Sequence, residues 1–593
     1  MHRRIKFGFL LMGIATLALA GGLISSTAAL DDGEDGPPTT IEKKGVDIEL
    51  RSEGKMMADS AVSQLTLSPD PTPTPVPGEN TTPNVKVRGS NLQVSDGGLD
   101  NIQIFAGFRP FVKSTQSETT ISASNNDIVV SYNSSANQPL AVIGGVLQFT
   151  SRFLSGYSSS HDGGQTWSSG FVPPLAGSIF TFGDGVVAQD RNGNFYYATL
   201  GANASGRTTV QVNKSTDGGS TFGVPTIVQV DNGGDKEWIG VGPSPSNKNQ
   251  DNVYVTWTSF QASGQQLRFG RSTDGGQTWT STTIFAPGPD VDPTHPQNSL
   301  SFTSPVVDPF NGRLYIPFAQ FSNSDTDFLR VLISDDAGAT FHFATFNVPG
   351  APSPTLLPVV QPGELIDCFS GGFRLSIHAG PPLVGRFGLR TFQKATRLII
   401  QPTLAVRNGV VYMAWNNSDG TVFGDPATGS NILFVRSDDG GNTWSSPTQV
   451  NPAVSGDIHH VHPALAIDVD PNDVHISYYT QHADGTVDLD MANSHDRGAT
   501  FPSYRTVRVT EVSSTLAPTN MRLSATTSTN YDRTIQPCYS LGEYNGITTA
   551  NGNVYATWGD LRNTVTQPVN VLDPISGQTH TQQDVRFQKV KAQ

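Results

Sequence analysis

The chain has 593 residues, of which 15% are charged, with 60 Gly, 40 Pro and a formal net charge of −14. This length allows a large core or several domains, and abundant Gly and Pro with few charges favour a turn-rich β protein over a helical one. The acidic balance makes phosphate backbones and anionic membranes poor partners, so we expect no nucleic-acid binding.

The N-terminus, 1–29, has the pattern of a signal peptide. Three basic residues precede an apolar run over 7–20, and small residues follow at 18–20 and 27–29. A basic start, a short apolar stretch and a small-residue cleavage site are typical of an exported chain. We therefore expect a secreted or extracytoplasmic protein that leaves the membrane after cleavage. An uncleaved anchor stays open, because weakly apolar residues continue to position 24.

Residues 30–85 show no apolar periodicity, and 68–84 read SPDPTPTPVPGENTTPN. A Pro/Thr-rich composition of this kind predicts an extended, disordered linker. The folded domain is then expected over 86–593.

A motif of the form Ser-x-Asp-x-Gly-x-Thr-aromatic occurs six times, first as SHDGGQTW from Ser160. Asp and Ser side chains accept hydrogen bonds from nearby backbone N–H groups, Gly permits a positive φ, and the aromatic residue anchors the turn. Because an active site needs one such constellation and not six, we interpret the motifs as structural turns. Their aspartates are Asp162, Asp217, Asp274, Asp336, Asp439 and Asp496.

A second repeat consists of short runs rich in Val, Ile, Tyr and Trp, such as NVYVTW from Asn252 and NVYATW from Asn553. These are strand signals, and further strand-like runs flank each of them. Four-stranded units repeated along a chain predict an all-β β-propeller, here of seven blades, with six or eight still open.

The last repeat ends without a Ser-x-Asp motif or a fourth strand, so its edge would be unpaired. We predict that 84–97 supplies the missing strand and closes the ring. A long insertion is included in 342–400, and a degenerate eighth blade there is the alternative.

Two cysteines, Cys368 and Cys538, are too few for a disulfide scaffold or a zinc site. Both precede first strands of repeats, so we expect their loops on one face, where a disulfide would hold the insertion over a pocket as a partial lid. Two separate buried thiols are the alternative.

The six motifs resemble those of the Asp-box, or BNR-repeat, proteins, and the similarity to sialidase-like β-propellers of the bacterial secreted type covers about 110–593. The resemblance implies an exported propeller, expected to be monomeric and without a cofactor, that recognises extracellular carbohydrate or glycoconjugates. An exo-α-sialidase-type glycoside hydrolase and a non-enzymatic envelope scaffold are the alternatives, because a fold does not fix a function.

Sialidases hold the substrate carboxylate with three arginines and use a tyrosine–glutamate pair and an aspartic acid. The resemblance offers an incomplete set of catalytic candidates here, with Tyr539 as an alternative tyrosine. They are Tyr544, Glu237, Glu118, Arg109, Arg562 and Asp560.

Ligand contacts are expected on the face opposite the motifs, where first strands begin and second strands end. Aromatic faces and carboxylates there suit sugar rings and their hydroxyl groups, although packing between blades is the alternative for each tryptophan. The candidates are Trp238, Glu543, Trp415 and Trp558.

The stretch DIHHVHPAL brings His459, His460 and His462 close together in sequence. His460 and His462 would share a strand face and could bind a metal. With no second cluster of ligands in the sequence, we favour hydrogen bonding or capping and expect no metal.

Overall fold

The computed structural model describes the chain between 40 and 591, with gaps. The described residues are 40–43, 46–49, 90–96, 116–137, 140–143, 146–149, 151–262, 264–287, 299–321, 327–349, 351, 353–360, 400–419, 429–468, 470, 472–484, 486–515, 541–566 and 579–591. They form β-strands, turns and a short 3-10 helix, Ser503–Arg505, so the protein is all-β as predicted. Within these ranges, no helix has the length and apolar character needed to span a membrane.

Three short strands come first among the described residues. Strands β1 (Thr40–Lys43) and β2 (Val46–Glu49) pair in an antiparallel hairpin, inside the stretch for which the sequence predicts an extended linker. Both strands contain β-branched residues, which favour such pairing and account for the difference. Strand β3 is Leu92–Gln93 and joins the last group of strands.

From 116 onward, one antiparallel arrangement of strands repeats along the chain. The first group contains β4 (Gln116–Ser124), β5 (Asp127–Asn137), β8 (Arg152–Ser160) and β9 (Ser168–Phe171), with the hairpin β6 (Leu140–Ile143) and β7 (Val146–Phe149) after β5. The second contains β10 (Phe180–Gln189), β11 (Phe195–Ala202), β12 (Thr208–Ser215) and β13 (Thr226–Val230). The third contains β14 (Gly234–Pro243), β15 (Asp251–Gln261), β16 (Gly264–Ser272) and β17 (Thr280–Phe285).

The later groups follow the same plan with shorter edge strands. The fourth contains β18 (Ser299–Ser301), β19 (Val306–Val307), β20 (Leu314–Phe321), β21 (Asp327–Ser334), β22 (His342–Phe343) and β23 (Leu357–Val359). The fifth contains β24 (Thr403–Arg407), β25 (Val410–Ser418), β26 (Ser430–Ser437) and β27 (Thr448–Gln449). The sixth contains β28 (Asp457–Ile467), β29 (Val474–His482), β30 (Thr486–Ser494), β31 (Val507–Arg508) and β32 (Ser514–Thr515). The last contains β33 (Gly546–Ala550), β34 (Asn553–Thr566), β35 (Thr579–Lys591) and β3.

Each Ser-x-Asp motif forms the turn that follows the third strand of a group. In the first turn, Ser160 Oγ donates a hydrogen bond to Asp162 Oδ1 at 2.8 Å, and Thr166 donates from its backbone N–H to Oδ1 at 2.9 Å and from Oγ1 to Oδ2 at 2.6 Å. One aspartate thus fixes both ends of the turn. The same three kinds of bond recur at Asp217, Asp274, Asp336, Asp439 and Asp496.

Hydrophobic clusters lie between neighbouring groups and hold them face to face. Val212 of the second group and Trp257 of the third belong to one such cluster, and Ile128 of the first and Phe587 of the last belong to another. Every pair of groups consecutive in the chain shares a cluster, and so do the last and the first. The groups therefore close into a ring.

The N-terminal strand completes this closure, as the sequence predicts. Leu92 pairs with Phe587 of β35. The carbonyl of Val94 accepts hydrogen bonds from Ser158 Oγ at 2.7 Å and Ser169 Oγ at 3.0 Å, both in the first group. The segment that carries β3 thus joins the last group to the first.

The long insertion expected within 342–400 is in part an edge of the fourth group. Strands β22 and β23 both pair with β21, one after the other along its length. The fourth position in this group is therefore filled by two short strands instead of one. The remainder of the insertion, 361–399, lies outside the described residues.

Candidate functional site

The first strands of several groups are interrupted by β-bulges. A bulge adds one residue to a strand and re-aims the side chains beside it. At these bulges, residues other than Gly adopt a left-handed backbone, which costs roughly 1–2 kcal/mol each and often marks functional sites. They are Glu118 (φ 54°), Asp184 (φ 56°), Lys236 (φ 55°) and His462 (φ 52°), all buried.

Asn133 of β5 connects the bulges of the first two groups. Its Nδ2 donates to Glu118 Oε2 at 2.6 Å, while its Oδ1 accepts the backbone N–H of Asp184 at 2.6 Å. The backbone N–H of Glu543 donates to Glu118 Oε1 at 3.1 Å. Gly542 is required beside it, because its φ is 89° and a Cβ there would lie 2.2 Å from Glu118 Cγ.

Lys236 places an ammonium group among these carboxylates. Its Nζ forms an ion pair with the Glu543 carboxylate, and both side chains are almost fully buried. The same Nζ lies 5.0 Å from the ring centroid of Phe302 and 5.1 Å from that of Tyr544. Aromatic faces attract cations at such distances, so the charge is held by a carboxylate and two rings.

Glu237 and Tyr544 complete the set, which we call the bulge cluster: Glu118, Asp184, Lys236, Glu237, Glu543 and Tyr544. The side chains of Glu237 and Tyr544 are both buried. Among the described residues, however, the two carboxyl oxygens of Glu237 and the hydroxyl group of Tyr544 have no hydrogen-bond partner. Buried polar groups are normally satisfied, so such groups call for an explanation.

Burial and neighbouring charge shift the acidity of these two residues. Burial first, and then the Asp184 carboxylate, raises the pKa of Glu237 well above its ordinary value, which favours the protonated carboxyl group. Burial, followed by Glu118 and Asp184, raises the pKa of Tyr544 as well. The tyrosine is therefore a neutral hydroxyl group close to several carboxyl groups.

A cavity of about 180 Å³ adjoins the bulge cluster. Residues in the first strands, or directly before them, line it from every group of the ring, among them Thr120, Val186, Trp238, Ser304, Pro463 and Tyr544. The rings of Trp238 and Tyr544 meet edge to face, with 5.2 Å between their centroids. The lining offers aromatic surface, hydroxyl groups and amide groups to one small ligand at the centre of the ring. The carboxyl groups belong to the adjoining bulge cluster, where Glu237 directly precedes the lining residue Trp238.

The predicted site residues therefore separate into those at the cavity and those elsewhere. Glu118, Glu237, Glu543 and Tyr544 meet in the bulge cluster, and Trp238 lines the cavity beside it. Trp415 and Trp558 are each 1% exposed and belong to hydrophobic clusters between groups. Packing, the alternative at the sequence level, describes these two tryptophans better than ligand contact.

Asp560 and Arg562 form an ion pair with each other. Arg562 donates from Nε to Asp560 Oδ1 and from a terminal nitrogen to Oδ2, each at 2.8 Å. The same terminal nitrogen reaches Asn91 Oδ1 at 3.0 Å. This bidentate pair fastens the N-terminal segment to the last group, and a catalytic role for Asp560 and Arg562 stays a prediction.

Other arginines of the described chain hold the Ser-x-Asp turns. Arg271 donates to the carbonyl of Ala337 at 3.0 Å, and Arg436 to that of Arg497 at 2.9 Å, each in the turn of the next group. Several predicted residues lie outside the described ranges. They are Arg109, Cys368, Cys538 and Tyr539.

The three neighbouring histidines have different surroundings. His460 contacts the Asp457 carboxylate at 3.5 Å and the ring of Tyr478, whereas His462 lies at a bulge against Tyr479. Burial lowers the pKa of His459 to about 4. Within the described ranges, no group of three or more His, Cys, Asp or Glu residues could hold a metal ion.

Sequence reasoning missed Asp184, Lys236 and Phe302. The signal available for Asp184 is GDG at 183–185, a polar break inside an otherwise apolar strand. Isolated glycines in a strand indicate a bulge or a close approach of backbone. Nothing comparable marks Lys236, whose neighbour Glu237 was predicted.

Comparisons with known proteins identify no family and only distant structural similarity. No family model matches the chain, and no curated protein matches it significantly. Among solved structures, it is similar to a protein of unknown function from Dyadobacter fermentans (14% identity, TM-score 0.35, covering 68% of this chain and 93% of that one). It is also similar to the Hadza microbial sialidase Hz136 (12% identity, TM-score 0.36, covering 75% of this chain and 75% of that one). A further similar structure is the endosialidase of phage phi92 (10% identity, TM-score 0.40, covering 86% of this chain and 70% of that one). We derive no activity for this chain from these similarities.

Proposed function

We propose that the chain is an exported, seven-bladed β-propeller with Asp-box turns that binds an extracellular glycan in its central cavity. Each of the seven groups supplies one blade, with β3 completing the last. The groups pack in a closed ring through shared hydrophobic clusters, which supports this count. The signal-peptide pattern at the N-terminus supports export.

The unsatisfied polar groups beside Trp238 are the observation that carries the glycan proposal. Sugar rings present apolar C–H faces to aromatic rings and hydroxyl groups to carboxyl and hydroxyl side chains. Trp238 provides such a ring, and the Glu237 carboxyl and Tyr544 hydroxyl groups provide hydrogen-bonding partners. A bound sugar would satisfy both groups.

Sialidase-type hydrolysis is the second candidate, because Tyr544 and Glu237 supply the residue types of the nucleophile pair that the resemblance implies. Two observations disfavour it. Burial, followed by the surrounding carboxylates, raises the pKa of Tyr544, which makes the tyrosine a poorer nucleophile. Arg562, the described arginine among the candidates, is held by Asp560.

Titration calorimetry with a panel of neutral, amino and acidic oligosaccharides tests the proposal. Tyr544→Phe should weaken binding by about tenfold, the effect of one lost hydrogen bond to a ligand, without lowering the melting temperature, because that hydroxyl has no hydrogen-bond partner among the described residues. Tyr132→Phe is the matched control. Its hydroxyl bonds to Tyr157 O at 3.1 Å, away from the cavity, so stability should fall while affinity stays.

Two results would contradict the proposal. Failure of every sugar in the panel to bind would favour a scaffold that contacts other envelope proteins. Release of sialic acid from a sialoside, lost in Tyr544→Phe, would establish the hydrolase instead.

A further inference from the structure

The charges of the bulge cluster constrain which glycan the cavity takes. Four of its side chains end in carboxyl groups and one in an ammonium group. Each of these five acidic or basic residues is at most 3% exposed. Like charges that are buried together repel strongly and attract a cation. The described part of this site is therefore suited to a ligand with a positive group.

Lys236 shows how the cluster accommodates an ammonium group. Its Nζ is bound by the Glu543 carboxylate and faces the rings of Phe302 and Tyr544. This is the combination of a carboxylate and aromatic faces that recognises ammonium ligands. Lys236 already neutralises Glu543, so a second cation needs a different carboxyl group.

Glu237 is that carboxyl group. It is protonated in the free protein, and an ammonium group placed beside it favours its ionised form, because the positive charge offsets burial and the nearby Asp184 carboxylate. It follows Lys236 in the same bulge, its oxygens have no hydrogen-bond partner among the described residues, and the side chain is 1% exposed. Trp238 comes next and lines the cavity, as does Tyr544. The groups that a second ammonium site needs are therefore present: the carboxyl group of Glu237, the hydroxyl group of Tyr544 and the aromatic rings of Tyr544 and Trp238.

We propose that the glycan carries a free amino group, as in a hexosamine residue, and that Glu237 receives its ammonium group beside Tyr544 and Trp238. This inference rests on the proposed function and specifies its substrate class. Glu237 is then a specificity-determining residue, and sugars that carry a carboxylate are disfavoured by Glu118 and Asp184.

Calorimetry with three disaccharides of one linkage tests this: a glucosamine dimer, its N-acetylated form and the glucose dimer. We expect the free amine to bind at least about tenfold more tightly than either neutral sugar, since one charge-assisted hydrogen bond supplies that difference. Glu237→Gln should abolish this ratio. Glu511→Gln, at a half-exposed carboxylate near Arg562, should keep it.

Different failures have different meanings. Equal or tighter binding of a neutral sugar, or an unchanged ratio in Glu237→Gln, would overturn the amino-sugar inference and leave glycan binding intact. If Glu237→Gln is unstable, Tyr544→Phe with the same three sugars should lower the ratio, and an unchanged ratio there would also overturn the inference. Absence of binding to all three sugars and to the wider panel would refute the proposed function itself.

Discussion

At the scale of single residues, the glycines of the Ser-x-Asp turns serve two purposes. Gly498 has a φ of 75°, and a Cβ there would lie 2.4 Å from the ring of Phe434 in the preceding group. The position therefore needs both the backbone freedom of Gly and its small size. These turns hold neighbouring groups together as well as linking two strands.

A matched pair of substitutions separates these two needs. Gly409 has a φ of 76°, but a Cβ there would meet nothing within 4 Å. Both Gly→Ala changes share the backbone strain of roughly 1–2 kcal/mol. Gly498→Ala must also displace Phe434, so its loss of stability in urea unfolding should be larger by about 1–3 kcal/mol. Equal losses would mean that the turn does not press on its neighbour.

Residue-level prediction succeeds where the information is local. The Ser-x-Asp turn is predictable because, among the described residues, the hydrogen bonds of Asp162 all join it to residues within four positions. The bulge cluster is not, because Asn133 joins Glu118 to Asp184, which lies 51 residues beyond Asn133 in the chain. Sequence alone does not separate the roles of Trp238, Trp415 and Trp558, since ring stacking on a sugar and packing between sheets require the same residue type.

At the scale of elements, β28, β29 and β30 are tied together by a charge network in which Asp488 is buried and His482 and Asp457 are part-buried. His482 Nδ1 lies 2.8 Å from Asp457 Oδ1, and its Nε2 lies 2.9 Å from Asp488 Oδ2. Arg508 contacts the other oxygen of Asp488 at 2.9 Å. Burial alone would lower the pKa of His482, but its hydrogen bonds with the two aspartates raise it to about 10.

This network predicts a stability that decreases in alkali. Because the pKa of His482 is higher in the folded state than in the unfolded state, its charge stabilises the fold. This stabilisation is fully present below the ordinary pKa of 6.5 and is lost as the pH rises through about 10. At pH 7, His482→Gln should be less stable by about 3–5 kcal/mol, because two carboxylates lose their cation. The difference from the wild type in urea unfolding should shrink between pH 7 and pH 10.

His475→Gln is the control for this experiment. Burial lowers the pKa of His475, so the imidazole is already neutral at pH 7. The difference in the free energy of unfolding between His475→Gln and the wild type should be constant from pH 7 to pH 10. A constant difference for His482→Gln as well would show that His482 is not charged in the folded protein.

Elements were predicted well from sequence where they are long and repeated. The run NVYVTW lies within β15, as its Val, Tyr and Trp content predicts. The hairpin of β1 and β2 was missed, because it lies in a stretch without apolar periodicity. The short strands β22 and β23 were missed because two or three residues are too few to show a strand pattern.

At the scale of the whole molecule, one segment closes the ring. Asn91 Nδ2 donates to Val509 O and to Gln588 Oε1, each at 2.9 Å, and Asn91 Oδ1 accepts the backbone N–H of Glu511 at 2.7 Å. With Arg562 as a further donor, one buried side chain bridges the sixth and last groups. The sequence allowed this closure to be predicted because the last repeat lacks a fourth strand.

Asn91→Ala should therefore lower stability by about 2–4 kcal/mol, since it leaves several buried groups unpaired. Asn247→Ala, on an exposed turn, should change the stability little.

Deleting 84–97 should expose the edge of β35 and cause aggregation. A truncated protein as stable and monomeric as the full chain would show that the ring closes without this segment.

The most direct test of the proposed site is a crystal structure of the protein with the tightest-binding sugar of the panel. We expect the sugar in the central cavity, with a ring against Trp238 and polar groups within hydrogen-bond distance of Glu237 and Tyr544. A sugar bound on the outer surface, with the cavity empty at saturating concentration, would contradict the assignment of the bulge cluster as the functional site.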